Sequence, residues 1–289
     1  MISKPSLFLG LVLTASTLAA PTFAQAPTPP RTSPTTRVEQ SVGMSKITLA
    51  YSRPGAKGRQ IFGGLVPWGE VWRTGANEAT LFEISHDAQV NGQKLAAGKY
   101  ALFTIPKQDR WSVIFNRQAE QWGSGNYKSE EDALRLEIAP QTIPTQERFE
   151  IRVVDVDETT AKVEIRWAEV MVPFTVVFDT NTLALEQAKT FVAKATKDDA
   201  RAVSNWANWC LTSGVALPEA ESWIAKVAAE NDLYRYHALH ARLLAKNGKT
   251  KEAGAAADKA LARAAGADAQ LPGVAADADK LKAERAAWK

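Results

Sequence analysis

The chain is predicted to fold as an antiparallel, jelly-roll-like β-sandwich followed by an all-α half of helical hairpins. Three observations predict this. From about residue 37 to 180, apolar and polar residues alternate, the period-2 pattern of sheets with one buried and one wet face. After Asn181 the period lengthens to 3.6, Ala becomes frequent and β-branched residues thin out, which is helical patterning. The composition is that of a globular protein: 289 residues, 45% hydrophobic and 23% charged. That excludes collagen-like, mostly disordered and polytopic membrane chains.

Each element follows in order. Lys4 precedes an apolar run, Leu7 to Leu13, and small residues then offer cleavage after Ala24 or Ala26. The pattern reads as a secretory signal peptide over 1–26 and predicts export to the periplasm or beyond. The apolar run is too short to span a bilayer, and no transmembrane segment is expected. Residues 27–36, rich in Pro and Thr, read as a disordered leader. Strand patterns then recur: Ile47, Leu49, Tyr51; Lys99 to Ile105, ended by Pro106; Trp111 to Asn116; Phe149, Ile151, Val153; Val163, Ile165, Trp167; and Val172, Phe174, Val176, Phe178. Val90-Asn91-Gly92-Gln93 is a hairpin signal, since Asn-Gly supplies the positive φ angles of a type I′ turn. Asp157-Glu158-Thr159-Thr160 is a second turn. About eight to ten strands over 37–180 suit a sandwich, with a single closed barrel as the alternative.

Helices are predicted near 182–196, 199–213, 218–231, 233–247, 250–265 and 273–288, making 181–289 a second domain. Pro218 suits a helix start, and Gly214 and Gly248 suit helix ends. His237, Ala241, Leu244, Gly248, Ala253 and Ala260 are spaced as in a tetratricopeptide hairpin. Ala207, Leu211, Gly214, Ala220 and Val227 repeat the scheme with one extra loop residue. Ala257 and Ala265 depart from it, so the resemblance is to degenerate repeats.

Several functions are disfavoured. Thirty-five basic against 32 acidic side chains give +3, too little for a nucleic-acid binder. The single Cys210 excludes a disulfide scaffold and a Cys-rich zinc site, and reads as a small buried apolar residue. His237 and His240 share a helix face, but with only His86 elsewhere no metal site is expected. There is no Gly-x-Ser-x-Gly elbow, Gly55 to Arg59 is too short for a phosphate loop, and no dinucleotide fingerprint follows a strand. No cofactor is expected. Glu130, Glu131 and Asp132 read as a solvated helix start.

The chemically dense stretch is 51–80, which breaks the alternation with six glycines, four basic residues and two tryptophans. A loop this long in a compact domain is functional or disordered, and its apolar content argues against disorder. Arg53, Lys57, Arg59 and Arg73 suit a carboxylate, phosphate or sulfate, and Trp68 and Trp72 a flat apolar face such as a sugar. Asn77 and Glu78 complete the candidate site. The structural alternative is that Glu70 or Glu78 pins Arg73 and that Trp72 plugs the core. Trp122, Asn126 and Tyr127 lie in a second Gly-rich loop, either a flexible cover or a packed turn.

Tyr51-Ser52-Arg53-Pro54, Lys57 to Gly63, Leu65 to Gly69, Val71 to Thr80, Leu95 to Tyr100, Phe103 to Pro106 and Trp111 to Asn116 together resemble a secreted bacterial family, domain of unknown function 2911. The resemblance runs from Val38 to about Pro140. It implies an exported protein with a β-rich domain, often followed by helical repeats, and it assigns no reaction. The cluster of charged and aromatic side chains on Gly-rich backbone makes non-catalytic binding of a small anionic or glycan ligand on the 51–80 loop the leading expectation. The alternatives are a protein partner docking on the helical half, and an envelope hydrolase using Glu70 or Glu78.

Overall fold

The computed structural model describes residues 29–288; the signal peptide expected over 1–26 lies outside the described residues. β1 (Thr35–Val42), β2 (Ser45–Ser52), β3 (Thr80–Ile84), β6 (Gly98–Ile105), β7 (Trp111–Asn116) and β8 (Asp132–Ile138) form a six-stranded sheet in the order β1-β2-β3-β6-β7-β8. β4 (Ala88–Val90), β5 (Gln93–Leu95), β9 (Gln141–Val154) and β10 (Thr160–Phe178) form a four-stranded sheet in the order β5-β4-β10-β9. All strand pairs are antiparallel. β1 starts at Thr35, inside the Pro/Thr-rich segment read as a leader.

The alternation explains the layering. Ile47, Leu49, Phe82, Leu102 and Phe115 face inward from the larger sheet. Ile151, Val163, Ile165 and Phe174 face them from the smaller one, and all lie in one buried cluster. Two sheets face each other with free edges, so the arrangement is a sandwich and not the closed barrel. The chain changes sheet after β3, β5 and β8. Val90 pairs with Gln93, and Asn91 and Gly92 have φ of 46° and 80°, as a type I′ turn requires.

Six helices follow: α1 (Thr180–Val192), α2 (Ala200–Ser213), α3 (Leu217–Glu230), α4 (Tyr234–Lys246), α5 (Thr250–Ala265) and α6 (Val274–Ala287). Asp179 caps α1 by accepting the Thr182 N–H at 3.1 Å, and Gly214 ends α2 at φ 73°. Each helix packs on the next, and α4 also touches α2 and α6. Val203, Ala207, Cys210, Ile224 and Leu243 form one core, and Ala241, Leu244, Ala253, Ala257 and Leu281 a second. Cys210 is buried, and burial pushes its thiol up to about 11. It is therefore an inert core residue at neutral pH.

Polar ties hold the last hairpins together. Arg242 binds Asp277 at 2.8 Å and Glu284 at 2.7 Å. Asp268 accepts from Arg263 at 2.9 Å and from the Tyr234 N–H at 2.7 Å. The Arg263 contact first, then the Tyr234 N–H, holds the Asp268 carboxyl below the ordinary range. A carboxyl lowered on folding stabilises the native state above its unfolded pKa, and that contribution is lost as pH falls through the folded value. Thermal midpoints below about pH 4 are therefore expected to fall more steeply for the wild type than for Asp268→Asn. Parallel acid slopes would remove this tie from the account.

Candidate functional site

The dense segment is an end-closure of the sandwich. Its first part extends the β9 edge, with Phe149 N–H donating to Pro54 O at 2.9 Å and Ala56 N–H to Glu147 O at 2.7 Å. A tight turn follows, in which Val66 N–H reaches Ile61 O at 2.8 Å. Gly63 sits there at φ 80°, and a Cβ on it would collide with the Trp68 indole. The chain then pairs with the far sheet: Trp72 and Thr104 exchange N–H···O bonds of 2.8 and 2.9 Å. The segment thus runs from the edge of one sheet to a central strand of the other.

Trp72 is the plug of this closure. It is 8% exposed, stacks on Trp167 at 5.7 Å, and meets Phe62, Trp111 and Phe149 edge-on. Its indole N–H donates to Gly75 O at 3.0 Å. Of the two readings for Trp72, core packing is the one the structure displays, and the side chain presents no face to a ligand.

Other charged candidates are tied to the fold. Arg53 donates to Phe149 O at 3.0 Å and pairs with Glu150 at 3.2 Å. Arg59 caps its own turn through Ala56 O and Gly55 O at 3.0 and 2.7 Å. Lys57 is exposed with φ 51°, and its N–H is held by the Glu147 carboxylate at 3.0 Å. Trp68 is 39% exposed, with Phe62 beside it at 6.1 Å. The structure therefore does not gather the four cations into one pocket; it spends Arg53 and Arg59 on backbone carbonyls.

Arg73 is placed differently. Trp72 faces the core, so the neighbouring Arg73 lies on the outer face of the sheet. Continuing the register of the Trp72–Thr104 pair sets it beside Phe103. Phe103, Ala101, Ile114 and Ala79 form a small buried cluster there, with Val71 and Tyr127 against it. Arg73 Nε is buried and has no hydrogen-bond partner among the described residues. The sequence-level alternative of a Glu70–Arg73 ion pair is not seen among the described residues, and Glu70 is exposed.

Two loops meet over this cluster. Ala79 N–H donates to Gln121 O at 3.0 Å, Gly123 N–H donates to Asn77 O at 3.2 Å, and Glu78 bridges Trp122 through the backbone. Asn77, at φ 61°, also donates to Ser52 Oγ at 3.1 Å. Gly123 has φ 67°, and a Cβ on it would meet Arg73 at 4.0 Å. Trp122 is 66% exposed on top of this junction. So the segment 73–79 and the second predicted loop are one unit, with Arg73, Asn77, Glu78 and Trp122 together.

The second loop is held from below. Asn116, fully buried at the end of β7, donates to Lys128 O and the Asp132 carboxylate, both at 2.9 Å. It accepts from Gln118 N–H at 3.1 Å and Gln121 Nε2 at 3.4 Å. Tyr127 lies over Phe103 at 5.2 Å and donates to Asp132 at 2.8 Å, while Arg135 donates to its oxygen at 2.7 Å. Burial, then the Asp132 hydrogen bond, pushes the Tyr127 phenol up to about 12. Tyr127 is thus a neutral strut, and Asn126 is exposed at the tip. Asp132 opens β8; the preceding acidic residues, read as a helix start, form only a short 3-10 turn, Ser129–Glu131. Gln121 Oε1 is a second buried polar atom without a partner among the described residues. Sequence reading passed over Asn116 and Gln121. The available signal was an amide closing an otherwise apolar strand before a long polar loop.

Among the described residues, no three of His, Cys, Asp or Glu are grouped to hold a metal ion, and no helix is long and apolar enough to cross a membrane. No curated protein and no solved structure matches the chain. Residues 33–176 match the family described as "Protein of unknown function (DUF2911)", and this span covers both sheets from just before β1 into β10. The two sheets, the end-closing segment and the paired loops lie in the part of this chain that is similar to the DUF2911 family.

Proposed function

We propose that this protein is exported and binds a small anionic or carbohydrate ligand, without covalent chemistry, where the 73–79 segment meets the 117–127 loop. The observation that carries this reading is Arg73, a half-buried guanidinium whose Nε has no partner among the described residues. Holding a charged group partly buried with an unpartnered donor costs free energy, and an anion at the accessible part of the guanidinium offsets that cost. Guanidinium geometry favours carboxylate, phosphate or sulfate, held by two parallel bonds. The exposed Trp122 supplies a flat face of the kind that packs on a sugar ring. The binding group is thus narrower than the eight loop residues singled out in the sequence. Arg73, Asn77, Glu78 and Trp122 stay, and Trp72 belongs to the core.

The test is thermal unfolding of the mature protein against uronic acids, sulfated sugars and inorganic phosphate. A ligand that binds only the native state raises the midpoint by mass action. At one hundred times Kd the stabilisation is about 2.7 kcal/mol. The rise is expected in the wild type and absent in a folded Arg73→Ala. An unchanged midpoint throughout the panel, or an undiminished rise in Arg73→Ala, would sink the reading.

A second reading is docking of a partner protein on the helical half, with the helices acting as degenerate tetratricopeptide hairpins. It is favoured by a groove of about 540 Å³ along the alternate helices α2, α4 and α6, with Leu211, Ala245 and Trp288 on its walls and Lys246 and Lys280 at its rim. A Leu211→Asp variant that keeps its fold but loses a co-purifying partner would move the weight to this reading.

A further inference from the structure

A second cleft lies where α1 leaves the sandwich. Its volume is about 800 Å³, within the range of small-ligand sites. The β1–β2 turn contributes Met44, the segment after β3 contributes His86, and α1 with its C-terminal turn contributes Leu183, Glu186, Phe191 and Lys194. The start of α1 is anchored here: Thr180 donates to Glu158 O at 2.7 Å, and a Cβ on Gly43 would collide with both residues. The walls therefore come from elements far apart in sequence but fixed to one another.

Three features specify an occupant. First, Met44, Leu183 and Phe191 give the cleft apolar walls, and Met44 is 37% exposed. An exposed thioether is an adaptable wall for side chains of varied shape. Second, the cleft has charges of opposite sign, Glu186 on α1 and Lys194 in the turn after it, while the Asp199 carboxylate on the same wall is taken up by the Thr196 N–H and hydroxyl. Glu186 and Lys194 are exposed, and neither has an ion-pair partner among the described residues. Eight residues at 1.5 Å per residue set them about 12 Å apart along the helix. Third, His86 adds a polar ring to the wall. Its Nδ1 lies 3.0 Å from Ser85 Oγ, which accepts the Lys46 N–H at 2.9 Å, and 3.2 Å from Ser45 Oγ. Both contacts use Nδ1, on one edge of the ring, and leave Nε2 on the opposite edge for a ligand.

We propose that this cleft binds a short extended peptide with free ends. Its ammonium meets Glu186, its carboxylate meets Lys194, and its apolar side chains lie on Met44, Leu183 and Phe191. A span of about 12 Å is that of roughly three to four extended residues. His86 Nε2 serves the peptide backbone, as a donor to a carbonyl or an acceptor from an N–H. A single anion satisfies Lys194 but leaves Glu186 without a counter-charge, and a purely apolar ligand uses neither. This site is separate from the paired loops around Arg73 and does not depend on them.

The experiment is calorimetric titration of the mature chain with the tetrapeptide Ala-Leu-Leu-Ala in three forms: free, N-acetylated and C-amidated. Saturable binding of the free form is expected. Each capped form should bind about fivefold more weakly, the upper range of one exposed charge contact. Glu186→Ala should erase the penalty of acetylation alone, and Lys194→Ala that of amidation alone. Both side chains are exposed on the helix flank, so thermal midpoints of the two variants should match the wild type. The proposal is overturned if no form binds, if the capped forms bind as well as the free one, or if both variants keep both penalties. Peptide binding lost in Arg73→Ala but kept in Lys194→Ala would also overturn it, by placing the peptide on the loops.

Discussion

Trp72→Ala is expected to cost about 3–5 kcal/mol of folding stability, the range for removing a large aromatic side chain from a core. The indole is the centre of an aromatic cluster that joins both sheets: Trp111 and Phe62 on one side, Phe149 and Trp167 on the other. Truncation leaves a cavity that rigid neighbours on paired strands cannot collapse into, and it leaves Gly75 O without its donor. Trp68→Ala is the control. That indole is 39% exposed at the surface of the same segment, so its loss should cost about 1–2 kcal/mol, well below the plug. Denaturant unfolding of the two variants decides the matter. Similar losses, or a larger loss for Trp68→Ala, would show that Trp72 is not the plug of the closure.

The second large effect is expected for Asn116→Ala, about 2–4 kcal/mol, since several buried hydrogen bonds are lost at once and their partners stay buried. The Asn116 amide joins Lys128 O, Asp132, Gln118 N–H and Gln121 in one hub. Its removal should also release the loop that carries Trp122. Limited proteolysis within 117–131 and a change in tryptophan emission should therefore accompany the loss of stability. Ligand-dependent stabilisation should disappear with Arg73 still in place. A destabilised variant that keeps protease resistance in this loop would show that Asn116 supports β7 and not the loop. An undiminished ligand response would separate the loop from binding.

These two residues illustrate how unequal sequence signals are. Trp72 stood out because aromatic and charged residues crowd a glycine-rich stretch, but crowding alone fits a ligand site and a core plug equally well. What separates them is whether another surface covers the ring, and the covering residues, Phe149 and Trp167, lie 77 and 95 positions away. Asn116 carried almost no signal. A lone amide after five residues of strand reads as a turn residue, and its role as a hub depends on where Lys128 and Asp132 return. Arg53, Arg59 and Arg73 looked alike in sequence. The fold gives the first two backbone carbonyls in reach and sets the third on the outer sheet face, opposite its neighbour Trp72.

The local features were legible from the residues themselves. The change of period near Asn181, the Asn91-Gly92 hairpin, the bounds of β6 and β7, and the six helices with Gly214 at a C-terminus all rest on contacts or dihedral preferences within a few residues. Local patterning of this kind is set by steric and solvation terms that each short segment carries with it. The tertiary structure alone decided that the strands divide six and four between two sheets, that the 53–79 segment closes their end, and that it joins the 117–127 loop. It also decided that Arg73, unlike Arg53 and Arg59, keeps a buried Nε without a partner among the described residues. Those outcomes depend on long-range burial and on the competition of distant carbonyls and carboxylates for each donor, and no neighbouring residue in the chain reports on that competition.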